Sequence, residues 1–130
     1  MLRYISDVTS AALQEALSGQ AARQRAVADN LANVDTPGYR PQTVAFEDQL
    51  RAALQQADDT PSSEAMARVE RVRPQEQAYA GPALRRDGNA VDLESEMVTL
   101  AESTLHSSAL IRLLAHKLSM LRSVVTEGGK

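Results

Sequence analysis

The hydrophobic pattern changes character twice along this chain. Through residues 4–33, Ile5, Val8 and Ala12 share one helical face, followed by Leu13, Ala16 and Leu17 and later by Val27, Leu31 and Val34. That spacing predicts a helix. Alanine fills the positions between, and Gly19, Gln20 and Gln24 soften the stripe, so its apolar face is thin. Residues 40–89 carry no sustained period. Pro41, Pro61, Pro74 and Pro82 interrupt them, as does the Asp58-Asp59-Thr60-Pro61-Ser62-Ser63 cluster. One short helix is predicted over 44–56, where Phe46, Leu50 and Leu54 recur at i, i+4 and i+8. A short strand is predicted near 67–72, and the rest of this stretch reads as exposed, mobile loop.

The third stretch opens with Asp87-Gly88-Asn89-Ala90-Val91-Asp92. Gly88 and Asn89 suit a turn, Asp92 suits a helix N-cap, and Glu94 and Glu96 complement the dipole of the helix that follows. From there Leu93, Met97, Leu100, Thr104 and Ser107 continue into Ile111, Leu114, Leu118, Leu121 and Val125, in alternating steps of four and three. This is a coiled-coil seam, with Thr104 and Ser107 as polar interruptions of the kind that fix register. At 1.5 Å per residue the helix would run roughly 50 Å, to Glu127-Gly128-Gly129. Leu110, Leu113, Met120 and Val124 form a second stripe beside the first. One thin N-terminal helix cannot cover so wide a face, which points to contacts with other subunits. The predicted fold is mainly α: long N- and C-terminal helices packed as a coiled coil, joined by a short irregular middle. The divisions fall at 1–40, 41–90 and 91–130.

Composition narrows the function classes. The chain has 130 residues, one domain's worth or less, with 43% hydrophobic but only 3% aromatic residues. Its apolar content is mostly Ala, Leu and Val, which suits helices packed side by side. A net charge of −3 excludes nucleic-acid binding by bulk electrostatics. There is no cysteine, hence no disulfide, thiolate chemistry or cysteine zinc site. The only lysines are Lys117 and Lys130, so positive charge is nearly all arginine; a compositional bias and selection for bidentate pairing across interfaces both account for that. The N-terminus shows no apolar signal-peptide core, and no stretch approaches the ~20 apolar residues of a membrane span.

No enzymatic constellation emerges, and neither a cofactor nor a small-molecule substrate is expected. Nucleophile elbows, phosphate loops and dinucleotide fingerprints are missing from the sequence. His106 and His116 are expected on opposite sides of the C-terminal helix, unable to share a metal. The 87–92 stretch lacks the glycine and the terminal glutamate of a calcium loop.

The most informative segment is Asp29-Asn30-Leu31-Ala32-Asn33-Val34-Asp35-Thr36-Pro37-Gly38-Tyr39-Arg40. It is dense in residue types that bond their own backbone or anchor turns. Physically it reads as an elbow: Asn33 in the left-handed region, Val34-Asp35-Thr36 extended, a type II turn at Pro37-Gly38, and Tyr39 as an anchor. The run Asn30, Leu31, Ala32, Asn33, Asp35, Thr36, Pro37, Gly38 and Tyr39 resembles the N-terminal signature of bacterial flagellar rod and hook proteins, A-x-N-[LI]-A-N-x-[ND]-T-P-G-Y, with Asp29 the less typical position. The Gly88-Asn89-Ala90-Val91-Asp92 stretch, with Glu94, Glu96 and Met97 after it, resembles the lead-in to the C-terminal helix of the short proximal-rod members. The likeness covers both ends of the chain but not residues 55–86.

Several expectations follow from the resemblance. The chain would be a structural rod subunit, not an enzyme, assembling helically through its terminal helices and transmitting torque across the periplasm. Length and lead-in are most similar to one of the two short proximal-rod proteins, with the other, FlgC, as runner-up. The implied partners are copies of itself, FlgC and FlgF in the rod, FliE at the membrane-ring end, and the flagellar type III export apparatus, which would deliver the chain without a cleaved leader. Phe46 and Leu50 are similar to the export-gate motif of early substrates, a pattern that ordinary helix packing also produces. The competing class is a cytoplasmic coiled-coil adaptor or export chaperone, which leaves the Asn30–Tyr39 string unexplained.

Overall fold

The computed structural model describes residues 7–57 and 61–127. Two long helices form its spine: α1, Val8–Ala32, and α4, Leu93–Glu127. Between them come β1 (Gln42–Ala45), α2 (Glu47–Gln55), α3 (Ser62–Val69) and β2 (Gln75–Ala78). Expectations placed on Tyr4, Ile5, the Asp58-Asp59-Thr60 part of the middle cluster and Gly128-Gly129 lie outside the described residues.

Both spine helices start on aspartate caps. Asp7 has extended backbone and accepts from the Ser10 amide at 2.8 Å. Asp92 accepts from the Glu94 amide at 3.1 Å and the Ser95 hydroxyl at 2.9 Å. Each satisfies N–H groups that the first helical turn leaves without partners. The helices run antiparallel, since Asp7 meets Lys117, Gln20 meets Ser103, and Asn30 meets Glu96.

The middle of the chain is more ordered than its proline content suggests. β1 and β2 pair antiparallel, Gln42 opposite Ala78 and Ala45 opposite Gln75. Val44 and Ala45 therefore belong to a strand, and α2 starts only at Glu47, shorter than the helix predicted over 44–56. The segment near 67–72 is the last turn of α3, to Val69, and the turn that follows it rather than a strand. Ala65 and Val69, four apart, both point into the core, and Arg68 pairs with Glu64 at 2.8 Å on the outer face. The true second strand follows Pro74.

The middle also supplies much of the core, contrary to the exposed loop expected there. Ala11 of α1 packs with Leu50, Val69 and Val72, flanked by Val8, Ala12, Ala16, Ala53, Leu54 and Met66. A second cluster joins Ala22 and Ala26 to Val44 and Phe46. The small residues of α1 explain this arrangement: with few large side chains of its own, α1 admits those of the middle. At Gly19 a Cβ would sit 2.5 Å from the Phe46 ring. Arg23 lies 5.2 Å from the ring centroid and donates to the Val44 carbonyl at 2.8 Å.

The packing of α4 corrects the seam read from periodicity. Facing α1 are Glu96, Leu100, Ser103, Ser107, Leu110 and Lys117, with Ser103 only 1% exposed. Leu100, Leu114 and Leu121 of the predicted seam are half-buried. Ser107 of that seam is half-buried too, while Thr104 is exposed, as are Leu93, Met97, Ile111, Leu118 and Val125, at 49, 59, 54, 52 and 72%. The cause lies on α1, whose facing surface carries Gln20 and Gln24. Ser103 donates to Gln20 Oε1 at 2.8 Å and Gln24 donates to Ser107 at 3.3 Å. Polar side chains satisfied in this way must face each other, which rotates the apolar heptad positions of α4 outward.

Candidate functional site

α1 does not end in a left-handed asparagine, and Val34-Asp35-Thr36 is not extended but a turn, with Val34 N–H bonded to the Leu31 carbonyl at 3.3 Å and Thr36 N–H to the Asn33 carbonyl at 3.0 Å. Asn33 has φ −103 and ψ 14, and among the described residues only Gly38 and Gly88 have positive φ. The Asn33 side chain instead folds back, its Nδ2 donating to the Asp29 carbonyl at 2.8 Å and its Oδ1 accepting from the Thr36 hydroxyl at 3.1 Å. Thr36-Pro37-Gly38-Tyr39 then forms a turn closed by Tyr39 N–H to the Thr36 carbonyl at 3.3 Å, with Gly38 at φ 72. Proline followed by a positive-φ glycine is the type II pattern expected there.

Asn30 is the hub of this elbow and is fully buried. Its Nδ2 donates to the Gln42 carbonyl at 2.8 Å and to Glu96 Oε1 at 3.1 Å. Its Oδ1 accepts from the Gln42 amide at 2.8 Å and from the Tyr39 hydroxyl at 3.2 Å. All four bonding positions of the amide are used, so one side chain ties α1 to β1, the elbow and α4. Leu31 is half-buried and Ala32 exposed, and neither bonds through its side chain. Asp35 is nearly free in solvent, 3.6 Å from Arg85.

A second buried amide comes from the other end of the chain. Asn89 Nδ2 lies 3.0, 3.1 and 2.7 Å from the carbonyls of Asn33, Val34 and Thr36, and donates to them. Its Oδ1 accepts from the Val91 amide at 2.7 Å. Main-chain bonds run alongside: Gly38 N–H to the Asp87 carbonyl at 3.0 Å, and Ala90 N–H to the Tyr39 carbonyl at 3.1 Å. Arg85 donates to the Val34 carbonyl at 2.8 Å. Gly88, at φ 83, lies so close that a Cβ on it would come within 3.4 Å of the Gly38 Cα. The two motifs recognised separately in the sequence form one clasp. Asn89, Arg85, Gln42 and Glu96 were not singled out for this role; the only signal was the Gly88-Asn89 pair ahead of α4.

Electrostatics inside the clasp are restrained. Burial pushes the Glu96 carboxyl above its ordinary value, with Asn30's hydrogen bond offsetting part and Asp92 adding to it. Burial, then Asp29 and Glu96, push the Tyr39 phenol up in turn. These groups hold a shape, and no nucleophile is paired with a base. Phe46 and Leu50 are both buried, 3% and 9% exposed. His106 and His116 line grooves on the same flank of the α1–α4 pair, not opposite sides. Ten residues leave an offset of only about 80° around a helix, and some 15 Å along it. Among the described residues no helix is long and apolar enough to cross a membrane.

Comparison with known proteins agrees with both motifs. Residues 12–40 match the family described as Flagella basal body rod protein. Over 125 residues the chain is 30% identical to the flagellar basal body rod protein FlgB of Escherichia coli K12, covering 88% of this chain and 91% of that protein. It is 29% identical to FlgB of Bacillus subtilis 168, covering 91% and 92% of the two chains, and 29% identical to FlgB of Borrelia hermsii, covering 79% and 84%. With the elbow inside the matched family region and about nine-tenths of the length shared with such relatives, this chain belongs to the FlgB family of flagellar basal body rod proteins.

Proposed function

We propose that this chain is a structural subunit of the proximal rod, added to a helical array through α1 and α4, and that it transmits torque across the periplasm. The observation that carries the reading is the uncovered face of α4. Met97, Ile111, Leu118 and Val125 recur at heptad-related positions and stay exposed, with Leu113, Met120 and Val124 beside them. An apolar face this long marks a protein contact. A flank on one helix that meets a different surface of the next copy gives a heterologous contact, which extends into a filament rather than closing. The clasp supports the same reading by fixing the directions in which α1 ends and α4 begins. Neighbours in keeping with the family are FlgC and FlgF in the rod and FliE at the membrane-ring end. The relatives named above favour the rod subunit over the cytoplasmic adaptor.

The double variant Ile111→Asp, Leu118→Asp tests the face. Both side chains are more than half exposed, so the purified chain should keep its helical circular dichroism and thermal midpoint while disappearing from isolated basal bodies. Incorporation at the wild-type level would refute the contact. Export through the flagellar type III apparatus fits the burial of Phe46 and Leu50, which are readable only in an unfolded chain. Phe46→Ala with Leu50→Ala loosens the core, a change that does not slow passage of an unfolded chain. Reduced secretion of this variant is therefore expected to report recognition, and undiminished secretion would exclude it.

A further inference from the structure

The elbow closes on the second half of the chain, not on itself. Its own main-chain contribution is three turn bonds, Val34 N–H to the Leu31 carbonyl at 3.3 Å, Thr36 N–H to the Asn33 carbonyl at 3.0 Å and Tyr39 N–H to the Thr36 carbonyl at 3.3 Å, alongside the Asn33 and Thr36 side-chain bonds. The Val34 carbonyl, the Gly38 amide and the Tyr39 carbonyl bond to Arg85, Asn89, Asp87 and Ala90. Asn89 reaches carbonyls 53 to 56 positions away in sequence and is fully buried in doing so. Helix ends usually satisfy their last carbonyls locally, through a left-handed residue just past the terminus. Here the Asp29, Asn30 and Leu31 carbonyls are met by the Asn33 and Val34 amides, while the Asn33, Val34 and Thr36 carbonyls past the helix end take a donor from the segment that leads into α4.

We propose that the Asn30–Tyr39 elbow is one half of a clasp, that Asn89 is the positioning residue that completes it, and that the elbow closes only when the stretch ahead of α4 has docked. The consequence rests on the rod reading. A subunit delivered from its N-terminus holds no finished elbow until residues 85–91 arrive, so its addition to the array waits for the C-terminal half. Three local turn bonds do not offset the entropy of ordering the elbow residues. The distant amide supplies the remaining bonds together, which makes closure cooperative with the docking of α4.

Residue-resolved hydrogen exchange on the full-length protein tests this, comparing wild type with Asn89→Ala and Asn89→Asp. The amides of Thr36, Gly38 and Tyr39 do not bond the Asn89 side chain. In Asn89→Ala they are expected to exchange on the order of ten- to a hundredfold faster, with mid-α4 amides unchanged. Wild-type protection at Thr36 and Tyr39 would overturn the inference. Asn89→Asp keeps the shape but turns a carboxylate toward three carbonyls, while its protonated form has one O–H to donate. Its elbow protection should return as pH falls below about 4 and be lost as pH rises. A pH-independent protection factor would count against the donor role and leave Asn89 a packing residue. Absence of the wild-type chain from basal bodies would sink the rod reading and leave the exchange result standing, so the two failures are distinguishable.

Discussion

Asn30 and Glu96 show what one residue decides in this protein. Asn30 uses all four positions of its amide, so nothing of similar size replaces it without leaving a buried group unpaired. Glu96 is different, because it supplies only an acceptor and carries a charge that burial disfavours. Glu96→Gln keeps an oxygen for Asn30 and removes that charge. A carboxyl raised above its ordinary 4.5 stabilises the fold only while it is protonated, and that contribution is lost as pH rises through the raised value. The glutamine variant should therefore be the more stable at pH 7, by less than about 1 kcal/mol once solvent screening is allowed for. The difference should close below pH 4.5, as thermal midpoints measured across pH would show. Higher wild-type stability at pH 7 would contradict this account.

At the scale of elements, α1 was legible as a helix, but its partners were not. A stripe of alanines and glycine fixes periodicity weakly, and only the fold shows that Phe46 sits over Gly19. Gly19→Ala sets a helix-propensity gain of about 1 kcal/mol against overpacking of about 1–3 kcal/mol. The clash is with the ring body at 2.5 Å rather than a flexible tip, so overpacking should win. Chemical denaturation is expected to show a net loss of roughly 1–2 kcal/mol. The α4 periodicity reads correctly as a long helix and only in part as its internal seam, since Leu100, Ser107, Leu114 and Leu121 are half-buried and the rest of the heptad is exposed. Heptad spacing reports which positions share a face; it does not report which partner that face meets. The strand–helix order of the middle was the least legible part. Val44 and Val69 can serve either element locally, and the Asn30 side chain on Gln42 is a tertiary contact.

The whole molecule is an antiparallel helical hairpin held by polar pins at both ends. At one end is the clasp. At the other, Lys117 Nζ lies 2.6 and 2.5 Å from the two Asp7 carboxylate oxygens. Burial alone would raise the Asp7 carboxyl, but Lys117 and Ser10 hold it below its ordinary 3.8. A lowered carboxyl contributes stability above its unfolded value and loses it as pH falls through the folded one. Lys117→Met should therefore cost stability at pH 7, about 1 kcal/mol or less because Asp7 is largely exposed. The gap from wild type should narrow below pH 3.8. A gap that stayed constant into acid would assign Lys117 to packing through its stem.

The sequence by itself determined the family, the two long helices, the Asp92 cap and the type II turn, because each is set by residues a few positions apart. It also showed that α4 carries more apolar surface than α1 can cover. Tertiary structure alone decided three things. One is that the elbow and the lead-in to α4 are halves of a single clasp. Another is that the proline-broken middle packs on α1 and supplies much of the core. The last is that α4 turns a mixed face toward α1, with Ser103 and Ser107 beside Leu100 and Leu110, and leaves Met97, Ile111, Leu118 and Val125 outside. These depend on bonds spanning 53 to 83 positions, and local periodicity carries no information about partners that distant.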